Sequence, residues 1–342
     1  MTSVDQSLPR RTAWPKGWLV LSAGLLVLVL LYPTWTDPYS LTVLRDAMIF
    51  ALFAVSLDYM WGKSGVLSFG HAAFFGIGAY AMPIIGPMVP TANAALVALL
   101  AGVAVAGIVA FVVGYFLIFG GVRGPYFTIV TLALCLVAQH IAIGWSEMTG
   151  GDAGLIGAPP FGIEMFGLSY LILDSVEQYY LVTAILTATL CVLWLACGGH
   201  YGRVLAAIQD NEVRARTLGY NTSGYLLVVF VISCMLAAVA GALYAVVSGY
   251  VAPDSVGLLL STQVVVWVAV GGRGTLLGPV IGAFLAIRLQ QVVSSIDFRL
   301  WPLVVGAFFV AMVFLFPDGV LPLVRRWMAR AWGRLVPSSG AR

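Results

Sequence analysis

The chain alternates long apolar runs with short polar gaps. A run of roughly 20 apolar residues can cross about 30 Å of hydrocarbon as a helix, the form in which backbone groups bond internally. The pattern predicts ten candidate segments: 17–35, 41–60, 66–86, 93–119, 126–144, 178–197, 225–250, 257–270, 275–293 and 300–320. Two depart from a plain span. Residues 66–86 hold Gly70, Gly76, Gly78, Gly86 and His71, and residues 257–270 number only 14. Both patterns fit broken or re-entrant helices, which are tolerated where they line a cavity or pack inside protein. The predicted fold class is an all-α polytopic membrane protein. Its expected parts are a cytoplasmic tail over 1–16, a transmembrane domain over 17–322 and a basic cytoplasmic tail over 323–342.

Composition agrees: 61% of the 342 residues are hydrophobic and 9% charged, with a mean hydropathy of +1.01. Basic residues set the orientation, because cytoplasmic loops carry an excess of Lys and Arg. Ten crossings from an inside N-terminus put 14 of the 17 basic residues on one side, among them Lys63, Arg123, Arg203, Arg214, Arg216 and Arg273. Arg45, Arg288 and Arg299 are left over. No Lys or Arg lies between Arg123 and Arg203, and the loop 145–177 in that gap carries Glu147, Asp152, Glu164, Asp174 and Glu177, so it is expected outside. Both termini are expected in the cytoplasm. The net charge of +3 does not imply nucleic acid, since the basic residues sit where topology wants them.

One polar island interrupts the apolar pattern. Residues 198–224 include the charged side chains Arg203, Asp210, Glu212, Arg214 and Arg216, and the orientation places this loop in the cytoplasm. Residues 203–218 have helix-forming composition, and Gly219 suits the position just past a helix end. Asp210 and Glu212 can pair with Arg214 and Arg216 along such a helix. The plain alternative is a solvated amphipathic loop.

Several apparent motifs dissolve on inspection. Gly62-Lys63-Ser64 ends like a phosphate-binding loop, but Leu57 stands where its first glycine is required. Gly76-Ile77-Gly78-Ala79-Tyr80-Ala81 fits a dinucleotide fingerprint but lies inside an apolar segment without the acidic partner. Arg10-Arg11 precedes an apolar run as a targeting signal would, yet no small-residue cleavage site follows, so an uncleaved first span is expected. Cys135, Cys191, Cys197 and Cys234 lack CxxC spacing and are expected as buried small apolar residues. The three histidines lie in separate segments. Neither a catalytic nor a nucleotide-binding site is expected, so any energy for work comes from a gradient or a partner.

Four stretches carry more weight. In Gly65–Tyr80, Ser68 and His71 place polar groups at membrane depth, beside Phe69 and Phe74; they either bond neighbouring helices or line a substrate path. In Arg123–Leu132, Pro125 suits a helix start, while Thr128 and Thr131 share one face and have the same two possible uses. Thr149, Gly150, Gly151 and Asp152 form a glycine-rich external turn, whose Asp152 is either a docking contact or a solvated acid. The fourth is the island together with Gly271–Ala283.

Taken in order, these stretches resemble the permease subunits of branched-chain amino acid ABC importers of the LivM type. The resemblance rests on Gly65–Tyr80 (G-x-LS-x-GHAAFF-x-x-GAY), Arg123–Leu132, Thr149–Leu155, Gly202–Gly219 and Gly271–Ala283. Each motif is weak alone, and five in one order is strong. Arg214, Arg216 and Tyr225 depart from what relatives often carry. The resemblance implies a type II importer permease without an ATPase of its own and with no cofactor, ATP being used by two cytoplasmic LivG/LivF-like ABC subunits. It implies a LivH-like second permease, a periplasmic binding protein and a place in the bacterial inner membrane. Its coupling segment corresponds to Arg203, Ile208, Asp210, Asn211, Glu212, Arg214 and Gly219. Substrates of such permeases also include other amino acids, urea and short amides. A gradient-driven secondary transporter is the competing class, but the span interiors offer almost no acid for ion binding; Asp46 and Asp58 lie toward the two ends of one segment.

Overall fold

A computed structural model describes residues 32–165, 168–296, 306–307, 319 and 321. Segments 17–35 and 300–320 fall almost wholly outside the described residues, as do both tails.

Helix α1 (Pro38–Ser64) begins on a proline, whose fixed φ suits the first helical position, and stops at Gly65 with φ 78°. A non-helical stretch over 65–70 leads into α2 (His71–Ile85). Then follow α3 (Ala94–Phe119) and α4 (Pro125–Gly144), the latter starting on Pro125 as the sequence predicts. After a single helical turn, Ser146–Thr149, come β1 (Leu155–Ile156), β2 (Gly162–Met165) and β3 (Leu168–Leu171). Helix α5 (Ser175–Gly198) runs along α1. The short helices α6 (His200–Asp210) and α7 (Glu212–Thr217) precede α8 (Thr222–Ser248), β4 (Tyr250–Val251), α9 (Leu258–Gly271) and α10 (Gly278–Ile296).

The fold is mostly helical, and α1, α3, α4, α5 and α8 are each long and apolar enough to cross a membrane. The all-α expectation needs one correction. The loop 145–177 pairs β2 with β3 as a hairpin (Gly162 opposite Leu171), and β1 pairs antiparallel with β4 from beyond α8. Of the two doubtful segments, 66–86 is interrupted, its first residues being non-helical, while 257–270 forms one short unbroken helix; at about 1.5 Å per residue, α2 with 15 residues and α9 with 14 reach only about 21–23 Å.

Helices α1 and α8 form the centre. Their most apolar windows are 72% and 67% buried, against 22–28% for α3, α4 and α5. Helix α8 packs along α2, α3 and α1. The α2–α8 crossing is backbone on backbone: a Cβ on Gly78 would meet the Ala238 carbonyl, and one on Gly241 would meet the Phe75 carbonyl. Such small-residue crossings replace the hydrophobic drive that lipid cannot supply between helices. Phe50, Phe75, Tyr244 and Trp267 then fill the space between α1, α2, α8 and α9, with Phe50 5.4 Å from Trp267 and 5.7 Å from Tyr244.

All four cysteines are free; Cys135 and Cys234 are buried as expected, Cys197 is half-buried and Cys191 is exposed. Cys191 stands on the outward side of α5, a helix that is little covered by the chain, and this is why its expected burial fails.

Candidate functional site

The basic loops converge on one end of the bundle. There Lys63 Nζ donates to the Gly274 carbonyl (2.7 Å), the Arg273 guanidinium lies 5.2 Å over Trp61, and Arg123 Nε donates to Glu212 (3.0 Å). The polar island is built on this end.

The island does not form the single helix expected over 203–218. Asn211 takes an extended conformation (φ −159°) and its side chain accepts from the Arg214 amide at 2.9 Å, so it caps α7 and divides the helix in two. Helix α6 turns Val204, Leu205 and Ile208 inward and leaves Arg203 and Asp210 exposed. Ile208 therefore serves as an anchor. Two hydrogen bonds fasten α6 to α1: Tyr59 Oη to Tyr201 Oη (3.3 Å) and Gln209 Nε2 to the Gly62 carbonyl (3.2 Å).

Glu212 also faces inward. Its Oε1 accepts from Arg123 Nε (3.0 Å), Arg216 (3.1 Å) and Thr222 Oγ1 (3.2 Å), while Arg123 reaches Ser223 Oγ at 3.1 Å. One carboxylate thus joins the α3–α4 loop, α7 and the start of α8. Arg214 is exposed and lies 3.9 Å from Asp210, which is a weak surface pair. Past α7, Gly219 is exposed with φ 90°. What this segment offers outward is apolar as well as charged: Val213 is 73% and Leu218 71% exposed.

The candidate pathway residues gather at the break before α2. Its non-helical backbone is satisfied largely from α4 and from its own serine. Thr131 Oγ1 accepts from the Phe69 amide (3.2 Å), Thr128 Oγ1 donates to the Leu67 carbonyl (3.1 Å), and Ser68 Oγ accepts from the Gly70 amide (3.2 Å). His71 Nε2 lies 2.6 Å from Ser233 Oγ, and Ser233 in turn donates to the Ser56 carbonyl. Because the one hydroxyl proton of Ser233 goes to Ser56, the network assigns the ring proton of His71 to Nε2. Phe74 packs edge-on against Phe230 at 5.8 Å. Ser68, His71, Phe74 and Thr131 are all buried within the chain in this conformation. Thr131→Val is expected to strand the Phe69 amide and cost about 1–3 kcal/mol. That cost would appear as a lower unfolding temperature in detergent, with Thr131→Ser close to wild type.

At the other end, Thr149 is buried, its Oγ1 2.6 Å from the Ala142 carbonyl at the end of α4. Gly150 and Gly151 turn the chain with φ 74° and 59°, and Asp152 is exposed. Tyr250 Oη donates to the Ala153 carbonyl (2.9 Å), so the turn is held beside the β1–β4 pair, where Ile156 stands fully in the open. Among the described residues no group of His, Cys, Asp or Glu could hold a metal ion.

Residues 39–315 match the family model described as the permease component of branched-chain amino acid transport systems. The chain belongs to this permease family. It is 28% identical over 324 residues to the high-affinity branched-chain amino acid transport system permease protein LivM of Escherichia coli K12, covering 88% of this chain and 74% of the relative. The LivM protein of Salmonella typhimurium LT2 matches equally. The autoinducer 2 import system permease protein LsrC of Yersinia pseudotuberculosis is 27% identical over 189 residues, 54% of this chain and 52% of that one. No solved structure matches significantly. The recognised family and the branched-chain amino acid motifs therefore agree.

Two features of this permease escape the motifs. Val213 and Leu218 are hidden in a segment whose average polarity dominates the sequence pattern. Asp58 looks like an ordinary acid near a span end, yet it is completely buried and accepts from the Gly274 amide (2.6 Å) and the Leu276 amide (3.1 Å). Only an acid within the last two turns of a helix, followed by Gly62 and Lys63, signals it in the sequence.

Proposed function

We propose that this chain is the membrane-spanning permease subunit of an ATP-driven importer of branched-chain amino acids. It forms half of the translocation pathway, and residues 200–219 couple it to a cytoplasmic ATPase. The observation that carries this reading is an anchored segment with an unused face: Val204, Leu205, Ile208 and Glu212 fasten it to the bundle, while Val213 and Leu218 stand exposed among Arg203, Asp210, Arg214 and Arg216. A segment so held transmits a push instead of yielding to it, as rigid-body switching requires.

A second permease is supported by α4. The outward face of α3 is apolar from Leu96 to Phe119, as lipid requires, whereas α4 turns His140 outward within its apolar length. His140 stands one turn before the end of α4 with its Nδ1 2.9 Å from the Leu136 carbonyl, a polar outward group that suits a protein partner, and Thr128 and Thr131 lie on the same helix. Ser68, Phe69, His71 and Phe74 belong to the path in states where the break opens. The exposed Asp152 turn, with Thr149, Gly150 and Gly151, serves as part of the dock for an external binding protein. ATP is used by the partner subunits, the termini lie in the cytoplasm, and ten spans complete the fold. Leucine, isoleucine and valine are the first substrates to test, urea and short amides the next.

Reconstitution in vesicles with the second permease and the ATPases is the test. Leucine uptake is expected to require ATP and the ATPases; uptake driven by a proton or sodium gradient alone would refute the proposal. Val213→Asp with Leu218→Asp is expected to abolish co-purification of the ATPase while leaving the unfolding temperature unchanged, since both side chains are free of the core.

A further inference from the structure

The buried carboxylate of Asp58 lies outside the family motifs of the chain. It is fully buried on the last turns of α1, and each of its oxygens accepts one backbone amide of the α9–α10 connection: Oδ1 from Gly274 at 2.6 Å, Oδ2 from Leu276 at 3.1 Å. A buried charge is tolerated only when it is hydrogen-bonded or paired, and here amides do most of that work. Lys63, on the same helix, takes the Gly274 carbonyl at 2.7 Å. Both backbone polar groups of Gly274, its N–H and its carbonyl, are thus bound to α1.

The loop is held in a demanding shape. Leu276 has φ 61°, the left-handed region that L side chains rarely adopt, and among the described residues no other non-glycine residue does so. Such a conformation persists when its surroundings over-determine it. Thr275 Oγ1 accepts from the Gly278 amide at 2.9 Å, so the same loop caps the start of α10. Contact with α1 is close enough that a Cβ on Gly62 would lie 2.6 Å from the Gly274 Cα.

On its other side, the same turn of α1 meets the coupling segment. The Gly62 carbonyl accepts from Gln209 of α6 at 3.2 Å, and Tyr59, one residue past Asp58, bonds Tyr201. The end of α1 is gripped by α6 on one side and by the α9–α10 loop on the other. We infer that Asp58 is a positioning residue that carries movement of the coupling segment into the α9–α10 hairpin. The inference rests on the importer reading given above.

The test uses the whole complex in vesicles with its binding protein and radiolabelled leucine. For Asp58→Asn, which keeps one acceptor and loses the other, leucine moved per ATP hydrolysed is expected to fall about tenfold, with half-saturation unchanged, the mark of an interaction lost after binding. Amide exchange at Gly274 and Leu276 is expected to quicken by about tenfold or more, since protection reports local opening. Lys63→Gln, a milder change on the same loop, is expected to lower the ratio about threefold. A wild-type ratio in Asp58→Asn, or unchanged exchange at both amides, overturns the inference. Should Asp58→Asn fail to assemble, a wild-type ratio in Lys63→Gln overturns it instead. Failure of the importer reading would show already in the wild type, as leucine uptake with no ATP hydrolysed, and would take this inference with it.

Discussion

Gly78→Leu is expected to leave almost no folded permease in the membrane. A side chain at Gly78 meets backbone, the Ala238 carbonyl and its Cα at 2.7 Å, and backbone cannot rotate out of the way as a side chain can. The reciprocal contact at Gly241, whose Cβ would sit 3.1 Å from the Ala79 amide nitrogen, doubles the constraint. Parting α2 from α8 would also open the Phe74–Phe230 contact and the His71–Ser233 bond. Overpacking typically costs about 1–3 kcal/mol and sometimes more, against a total stability of about 5–15 kcal/mol. Losing the crossing takes the larger share of that margin. Gly241→Leu should behave alike. Gly144→Ala, at a position with open space around it, should be neutral. Monodisperse yield after detergent extraction separates these outcomes; normal yield of both leucine variants would refute the crossing.

Glu212→Ala is expected to spare the spans and disable transport. Its carboxylate is the shared acceptor of Arg123, Arg216 and Thr222, so removal frees α7 from both the α3–α4 loop and the start of α8. Arg123 and Glu212 are each about three-quarters buried, so the pair is screened less than an exposed one. Hydrogen bonds to charged groups contribute about 1.5–3 kcal/mol each, and a double-mutant cycle of Glu212→Ala with Arg123→Met should give a coupling of about 1–3 kcal/mol. Under the proposed coupling role, ATP-driven uptake should drop about tenfold, because a loosened segment would transmit less of the push. Glu212→Gln keeps an acceptor and should fall between. Arg214→Ala removes only the exposed 3.9 Å pair and should change stability by less than about 0.5 kcal/mol. Equal uptake by Glu212→Ala and wild type would refute this role.

What could be read in the sequence was local. Pro125 marks a helix start, and the glycines around His71 mark the interrupted segment; in each case the signal and its consequence lie within a few residues. Division of the island at Asn211 was also local, yet it was masked, because the flanking residues suit a helix and the cap shows only when the Asn211 side chain turns back on Arg214. The inward direction of Ile208 followed the spacing of Val204, Leu205 and Ile208, a stripe easily outvoted by the charges beside it. Distance hid the rest. Glu212 finds Arg123 across 89 positions, and Asp58 finds its amides 216 and 218 positions away. The strands of the loop 145–177 span two to four residues each, too few for an alternating pattern to emerge.

The threonines at the break before α2 have a consequence for α4. This helix is mostly bare, resting on a narrow stripe of Phe127, Thr131, Cys135 and Ala142, and packing alone would leave it free to roll about its axis. Thr128 and Thr131 hold the Leu67 carbonyl and the Phe69 amide from one side. A turn of one residue, about 100°, would withdraw both hydroxyls and leave two backbone groups of the break without their partners. Helix α4 is therefore indexed like a gear tooth: it can tilt together with the start of α2, but it cannot spin past it.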